Sequence, residues 1–466
     1  MMPAARAHSS CALPCMMCMR PYCSGACGTL LYLPGSLAPK EAPMRPGLGC
    51  RACRATAVAL IAAFAVHAGE WPRFRGPTGQ GISEEKGVPT SWNAAEHVVW
   101  KTPIPGEGWS SPIVWGDRVW VTTATDGGAS FRVICIDRTR GTILWNAEVV
   151  VQDAGHRHGN NSYATSTPAT DGDRVFAVAA DGSIAALSAE GDVLWTNREH
   201  RFFGHHGLGV SPILYKDLLI VPFDGSSGGD DRTVGWQKPW DQAVVLAVEK
   251  ETGRVRWKGR RGLSRIAHVT PLIIAAGGGA DEIVSGAGDV VQGFDPATGA
   301  LRWTAASSGE GVVPSIVSGG GLVFSASGFG APAIRAVRPG GRGDVTATHI
   351  AWEDSSDVPM VPSMLCVWPH LLVLTDTGVL RCLEAASGKV VWRTRVRGEY
   401  YASPVWADGR IYVVNQKGET TVLDVGPTFK VIASNPLGEK CFASPAVAHG
   451  AIFLRTASHL FCIGRR

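Results

Sequence analysis

The sequence predicts an all-β fold: an eight-bladed β-propeller whose blades are four-stranded antiparallel sheets. Three observations carry this prediction. A short phrase ending in Trp recurs along the chain, a Ser/Thr-Pro pair recurs in step with it, and one N-terminal strand supplies a missing copy. Successive Trp residues lie 40 to 62 residues apart, which is the length of one small sheet rather than of one domain.

The recurring phrase runs from an acidic residue through Gly to two or three mostly apolar residues and a Trp. Its clear copies are DRTRGTILW, EKETGRVRW, DPATGALRW and EAASGKVVW, which end at Trp145, Trp257, Trp303 and Trp392. Weaker copies end at Trp195 and Trp352. Gly supplies the positive φ of a hairpin and Asp caps its own backbone, so the phrase predicts a turn followed by the last strand of a blade.

The Ser/Thr-Pro pair predicts where each blade opens. In two copies the order is inverted. The hydroxyl residues of the eight openings are Ser111, Thr167, Ser211, Thr270, Ser315, Ser363, Ser403 and Ser444. Each opening leads into a short strand, an apolar strand and a third strand, which are separated by Gly- or Asp-containing turns. With the Trp strand this makes four antiparallel strands, one propeller blade.

The eighth opening has only three strands before the chain ends. The segment SWNAAEHVVWKTPIP places Trp100 in the repeat position, so we expect it to complete the last blade and close the ring. This pairing would remove an exposed sheet edge. The propeller is therefore predicted over residues 92–466, with an N-terminal extension at 69–91.

One position on the third strands is small in every blade. Its occupants are Cys135, Ala186, Ala247, Gly293, Ala336, Cys382, Val422 and Cys462. We expect these residues to pack where neighbouring sheets approach, which explains three of the five cysteines after residue 68 as small buried side chains. We expect no disulfide between Cys366 and Cys382, because their strands should not be adjacent.

The first 68 residues differ from the rest. Residues 44–68 have the pattern of a signal peptide: Arg residues, the short apolar run 55–66, then small residues before Gly69. Residues 1–43 are interpreted as a leader from a start codon assigned too early, and the cysteines within 1–53 as part of that leader rather than as metal ligands. The protein is therefore expected to be exported, to the periplasm or beyond the cell, with no transmembrane segment in the mature chain.

The charge balance argues against a nucleic-acid partner. Residues 69–466 hold 38 basic and 39 acidic residues, so the basic excess of the whole chain comes from the leader.

With Ser-Pro openings and Gly-x-x-x-Trp closings, the chain resembles the PQQ-repeat propellers over Trp71 to Arg466. That superfamily takes in quinoprotein alcohol dehydrogenases and the BamB-type outer-membrane assembly factor. The segment WPRFRGPTGQGIS looks like the leader motif of exported members. The resemblance implies either PQQ with Ca²⁺ or a binding scaffold. The adjacent cysteine pair typical of the dehydrogenases is absent from this sequence, and so is a correctly placed lipid-attachment cysteine.

We therefore expect a non-catalytic propeller that binds a protein or a small ligand on one loop-rich face. The alternative is a PQQ- or metal-dependent oxidoreductase. Loops entering first strands and loops joining second to third strands share that face. The candidate binding residues in them are His156, His158, Asn160, Asn161, Tyr163, His205, His206, Trp236, Trp240, Arg265 and His268.

Each group of candidate residues also has an explanation that involves no ligand. The histidine pairs suit a transition metal or are solvated loop residues. Asp224, Asp230 and Asp231 offer carboxylates for Ca²⁺, or belong to a flexible Gly/Ser loop. Trp236 and Trp240 stack on a ligand, such as a sugar or quinone, or anchor the long blade 3 loop.

Signal cleavage after Ala68 gives the first testable prediction. Sequencing the N-terminus of the exported protein should return Gly69 as its first residue, and a start far from Gly69 would contradict the assignment.

Overall fold

The computed structural model describes residues 69–94, 96–153, 155–275, 279–425 and 428–465. The predicted leader, residues 1–43, and the predicted signal peptide, residues 44–68, lie outside the described residues. Within them the chain forms eight antiparallel sheets arranged as an eight-bladed β-propeller, as the repeats predict. The only helical turns in the described ranges are the short segments Asp126–Gly128 and Thr346–His349.

The blades are numbered from the first opening, and their strands run from the channel outward. Blade 1 comprises Ile113–Trp115, Arg118–Thr125, Ser130–Asp137 and Ile143–Val151, and blade 2 comprises Ala169–Thr170, Arg174–Val178, Ile184–Ser188 and Val193–Asn197. Blade 3 comprises Ile213–Tyr215, Leu218–Phe223, Val244–Glu249 and Val255–Arg260. Blade 4 comprises Leu272–Ala275, Asp281–Ala287, Val290–Phe294 and Leu301–Ala306.

Blade 5 comprises Val317–Gly319, Leu322–Ser327, Ala333–Val337 and Ile350–Asp354. Blade 6 comprises Leu365–Val367, His370–Leu374, Val379–Glu384 and Val390–Arg395. Blade 7 comprises Val405–Ala407, Arg410–Val414, Glu419–Val425 and Phe429–Pro436. Blade 8 comprises Ala446–Ala448, Ala451–Arg455, His459–Ile463 and the early strand Val98–Pro103, which pairs antiparallel with His459–Ile463. Two short strands add parallel partners: Ile82–Ser83 beside Val405–Ala407, and Gly343–Asp344 beside Leu301–Ala306.

The eight opening hydroxyls form one continuous ring, called the hydroxyl ring below. The backbone N–H of each ring residue donates to the side-chain oxygen of the ring residue in the next blade, at 2.9 to 3.2 Å. The last of these bonds runs from the N–H of Ser444 to Oγ of Ser111 and so joins blade 8 to blade 1. The openings are therefore the contacts that hold the innermost strands together around the channel.

The recurring Trp residues join blades further out. Each recurring Trp lies on the fourth strand of its blade, opposite the predicted small residue of the third strand. Trp145, for example, lies opposite Cys135. In five blades the indole N–H donates to a carbonyl in the next blade's Gly turn, at 2.8 to 3.2 Å. The Gly of that turn rests on the ring, so a Cβ on Gly253 would lie only 2.3 Å from Trp195. The small residue and the Gly are thus both selected by the bulk of the indole.

Blade 7 is the exception, since Ala433 stands opposite Val422 where other blades have Trp. The five cysteines of the described chain are all buried and free. Cys366 and Cys382 lie on the first and third strands of blade 6, which the second strand separates.

The N-terminal extension crosses the end of the channel opposite the loop-rich face. Trp71 pairs with Val114 of blade 1, and the N–H of Trp406 in blade 7 donates to the carbonyl of Gly81. Between them Gln80 accepts from the N–H of Ser318 in blade 5, at 2.6 Å. These contacts all fall on first strands, so residues 71–83 form a floor beneath the channel. No helix of the described ranges is long and apolar enough to cross a membrane.

The second prediction concerns the buried Trp residues. Trp303 is fully buried between blades 4 and 5, so Trp303→Ala should lower the free energy of unfolding by about 3–5 kcal/mol. The control is Leu263→Ala, because Leu263 is 69% exposed and its variant should lose about 1 kcal/mol or less. Chemical denaturation measures both. A loss below about 1 kcal/mol for Trp303→Ala would contradict a structural role for the Trp repeat.

Candidate functional site

The central channel contains a cavity of about 570 Å³ that opens toward the loop-rich face. Seven members of the hydroxyl ring line it, all except Thr270, and Phe74 of the extension lines it from the floor side. The floor and the ring therefore make a pocket with one mouth rather than a through-channel.

A second ring of side chains lies above the hydroxyl ring. Because an extended segment alternates its side chains, the residue two positions before each hydroxyl faces the channel as well. All eight such residues line the cavity: Trp109, Thr165, Gly209, His268, Val313, Val361, Tyr401 and Phe442. We call this set the upper ring. Three of its members form an aromatic wall, with ring centroids of Trp109 and Phe442 4.6 Å apart and those of Tyr401 and Phe442 4.7 Å apart.

The predicted histidines do come together on one side of the mouth. The ring centroids of His156 and His205 are 5.7 Å apart, and those of His205 and His206 are 5.1 Å apart. His206 is also 6.1 Å from His158 and from His268. The structure thus links three separate loops of the sequence into one cluster of five imidazoles, of which His158, His206 and His268 line the cavity.

Three of the five imidazoles in this cluster have lowered pKa values. Burial, and next the neighbouring His205, lower the pKa of His206 to about 4. Burial and His206 lower the pKa of His268 to about 3. Burial is also the main cause that lowers the pKa of His205. At neutral pH these rings therefore act as uncharged hydrogen-bonding groups rather than as cations.

Asn160 and Asn161 position the mouth. The side-chain amide of Asn160 donates to the Tyr401 hydroxyl at 2.7 Å, which joins the loop before blade 2 to the loop before blade 7 across the opening. Asn161 donates to the carbonyl of His206 at 2.9 Å and so fixes the histidine loop. Both asparagines line the cavity.

The two Trp residues of the blade 3 insertion have different roles. Trp236 lines the cavity and stacks on His205, with centroids 3.6 Å apart and planes 9° apart. Trp240 lies outside the lining, bridges to Ser264 and packs on Gly235 within its own loop. It therefore anchors the insertion, which is the alternative that the sequence left open for it.

Two other predicted residues lie behind the cavity wall. Tyr163 packs against Gly128 beneath the guanidinium of Arg157, which is 4.8 Å from its ring centroid. Arg265 is bound by both carboxylate oxygens of Asp289, at 2.6 and 2.7 Å, and reaches Glu310 at 3.3 Å. Through Glu310, which lines the cavity, Arg265 contributes indirectly to the rim.

The three predicted calcium carboxylates have separate surroundings. Asp224 is buried and held by the guanidinium of Arg261, with Nη2–Oδ2 at 2.9 Å. Burial raises the pKa of Asp224, and Arg261 opposes that shift. Asp231 is bound by Lys238 at 2.8 Å, while Asp230 is exposed. No three His, Cys, Asp or Glu side chains in the described ranges come together as a metal-binding group.

The cavity lining has a charge pattern that bears on PQQ, which is a tricarboxylate. Its carboxylates are those of Glu310 and Asp376, and it includes no Lys or Arg of the described chain. Burial raises the pKa of Asp376. None of the five cysteines lines the cavity. The lining therefore lacks the cations that three carboxylates require, and PQQ fits it poorly.

Sequence reasoning missed Trp109, Phe442 and Phe74 as cavity residues. The signal for the first two was present: both stand two residues before an opening hydroxyl, and strand alternation places that position in the channel. Phe74 could not be found in this way, because the path of the extension beneath the ring depends on contacts with several blades.

The chain belongs to the PQQ-repeat propeller family whose profile is described as outer membrane protein assembly factor BamB. The profile matches residues 97–266 and 350–426, together more than half of the chain. No curated protein sequence matches it.

Among solved structures, BamB from Moraxella catarrhalis is similar with a TM-score of 0.53 and 14% identity, over 79% of this chain and 97% of that one. The quinohemoprotein alcohol dehydrogenase of Comamonas testosteroni has a TM-score of 0.61 and 12% identity, over 85% of this chain and 81% of that one. The computationally designed Ika8 protein has a TM-score of 0.53 and 11% identity, over 78% of this chain and 99% of that one. At these identities the likeness shows the fold.

The third prediction follows from the histidine cluster. Histidine in the unfolded chain protonates near pH 6.5, whereas His268 in the folded chain does so only near pH 3. Between these values the unfolded state binds more protons, so stability falls as pH is lowered from 7 to 4. For His268 the loss at pH 4 is about 3 kcal/mol. In His268→Gln the melting temperature should fall less steeply with acidification than in the wild type, while the exposed control His97→Gln should keep the wild-type slope. Equal slopes in all three proteins would contradict the burial of a neutral His268.

Proposed function

We propose that this chain is an exported, non-catalytic propeller whose central cavity binds a small ligand. The observation that carries the proposal is the single-mouthed cavity of about 570 Å³, with the hydroxyl ring below and the upper ring above. A concave, largely apolar site with a few convergent polar groups is the usual form of a small-molecule site. A flat protein-binding face would not need an internal wall of aromatic rings.

The absence of catalysis is supported by the chemistry of the lining. A PQQ-dependent reaction needs the tricarboxylate held in place, and the cavity meets it with two carboxylates and the neutral rings of His206 and His268. The oxidoreductase alternative rests on the fold shared with an alcohol dehydrogenase, and a shared fold does not carry an activity with it.

Export is supported by the signal-like segment 44–68 and by the family description, which names an outer-membrane assembly factor.

The fourth prediction tests the cavity with a neutral fluorescent probe, N-phenyl-1-naphthylamine, whose emission rises in apolar surroundings. The wild type should enhance its fluorescence. Val313→Trp places a large ring inside the upper ring and should abolish the enhancement. Val151→Trp is the matched control, because Val151 is 62% exposed on the outer edge of blade 1. Equal fluorescence in both variants would contradict binding in the cavity.

A second arm addresses catalysis. Addition of PQQ and Ca²⁺ to the purified protein should leave its melting temperature and absorbance unchanged. Reduction of a redox dye with ethanol or glucose as substrate would contradict the non-catalytic assignment.

A further inference from the structure

We propose that the ligand of this cavity is a small aromatic monocarboxylate, whose carboxylate lies at the hydroxyl ring and whose aromatic body lies within the upper ring. This inference rests on the proposed function and specifies its ligand. Four features of the channel support it: free hydroxyl donors, two unpaired buried guanidinium groups, carboxylates confined to the mouth, and an aromatic wall.

The hydroxyl ring is a set of unused donors. Each ring oxygen accepts a backbone N–H from the neighbouring blade, which occupies a lone pair and leaves its own hydrogen free. Within the described chain none of these hydroxyls donates to a protein acceptor. Seven of them line the cavity. A ligand group with several acceptor lone pairs therefore matches the base of the cavity, and a carboxylate has the most in the smallest space.

A buried guanidinium lies beside the ring on the floor side. Arg75 is 1% exposed, and its Nη2 donates to the carbonyl of Met364, next to ring residue Ser363, at 2.7 Å. Within the described residues its Nε and Nη1 have no hydrogen-bond partner, and no carboxylate pairs with it. A buried charge without a counter-ion is costly, so a negative group in the channel would stabilise it.

A second guanidinium lies on the mouth side of the ring, between blades 8 and 1. Arg455 is also 1% exposed, and its Nη1 donates to Oγ of Ser110 at 2.8 Å, next to ring residue Ser111. Among the residues that the structure describes, its Nε has no hydrogen-bond partner and no carboxylate pairs with it. Neither guanidinium lines the cavity. Both would therefore attract an anionic ligand through their electrostatic field, which is weakly screened by the protein between them and the cavity.

The opposite sign is found at the mouth. Asp376 lies in the loop between the second and third strands of blade 6, where it accepts from the N–H of rim residue Met360 at 2.7 Å. Glu310 lies in the loop before blade 5. Arg75 thus places a positive charge beneath the base of the cavity, whereas both carboxylates of the lining lie at the mouth. This polarity favours a ligand with one anionic end, and it opposes a second carboxylate at the far end.

The body of the ligand faces aromatic side chains. Trp109, Tyr401 and Phe442 form a continuous wall in the upper ring, and Trp236 faces the cavity from the histidine side. Flat rings of this kind pack most favourably on another planar apolar group.

The fifth prediction uses three probes of one shape. 4-Methylbenzoate is a monoanion, 4-methylbenzamide is its neutral counterpart, and terephthalate replaces the methyl group with a second carboxylate. By calorimetric titration at pH 7 and low salt, 4-methylbenzoate should bind at least tenfold more tightly than either of the others. Its affinity should fall as salt is raised, because the attraction is partly electrostatic.

Variants locate the two ends of the probe. Arg75→Gln and Ser403→Ala should each weaken 4-methylbenzoate binding several-fold and leave 4-methylbenzamide unchanged, whereas Arg75→Lys should keep part of the preference. The controls are Arg338→Gln and Ser387→Ala, whose side chains are exposed on blades 5 and 6. If Arg75→Gln does not fold, the three-probe comparison on the wild type tests the charge by itself.

The outcomes separate this inference from the proposed function. Binding of 4-methylbenzamide or terephthalate as tight as that of 4-methylbenzoate would overturn the assignment of the ligand as a monoanion. Fluorescent-probe binding that Val313→Trp abolishes, with none of the three benzoate-type probes bound, would overturn the ligand class but not the cavity. Loss of both kinds of binding would overturn both.

Discussion

The hydrogen bonds of the hydroxyl ring are the constraint on which the rest of the structure depends. At the start of each innermost strand a backbone N–H points toward the neighbouring blade, and left alone it would be a buried, unpaired donor. The next blade supplies the acceptor through its opening Ser or Thr. Because every blade is both donor and acceptor, no blade is satisfied until its neighbours are in place, and the eighth bond must return to the first blade. This is why a residue as small as Ser recurs at the same point of every repeat.

The Trp repeat performs the corresponding task away from the axis, where blades diverge and the gap between them grows. A large indole fills that gap, and two small residues make room for it: one opposite on its own sheet, and the Gly of the next blade's turn. Each copy of the Trp phrase therefore encodes a contact between its own blade and the next one. Blade 7 departs from it, because Ala433 stands on its fourth strand where the other blades have Trp.

The candidate site uses positions that these packing rules leave open. In the entry segments, alternation sends one residue into the ring and the residue two positions earlier into the cavity, so the upper ring can vary without disturbing the hydrogen bonds beneath it. Its occupants range from Gly209 to Trp109. The extension completes the arrangement by placing Phe74 and Arg75 at the base. The site is thereby closed at one end, with a positive charge beneath its base and carboxylates at its mouth.

The sequence by itself determined the repeat, the number of blades, the eight opening hydroxyls, the small residues opposite the Trp residues and the set of loops on one face. These features are periodic, and periodicity can be read from residue order alone. It also placed His156, His158, His205, His206 and His268 on the same face. Only the tertiary structure decided that these rings form one cluster, that Trp240 anchors a loop while Trp236 faces the cavity, that Asp224 is bound by Arg261, and that residues 71–83 form the floor. Those outcomes depend on distances between loops far apart in the chain, and such distances are set by the closure of the ring rather than by any local pattern.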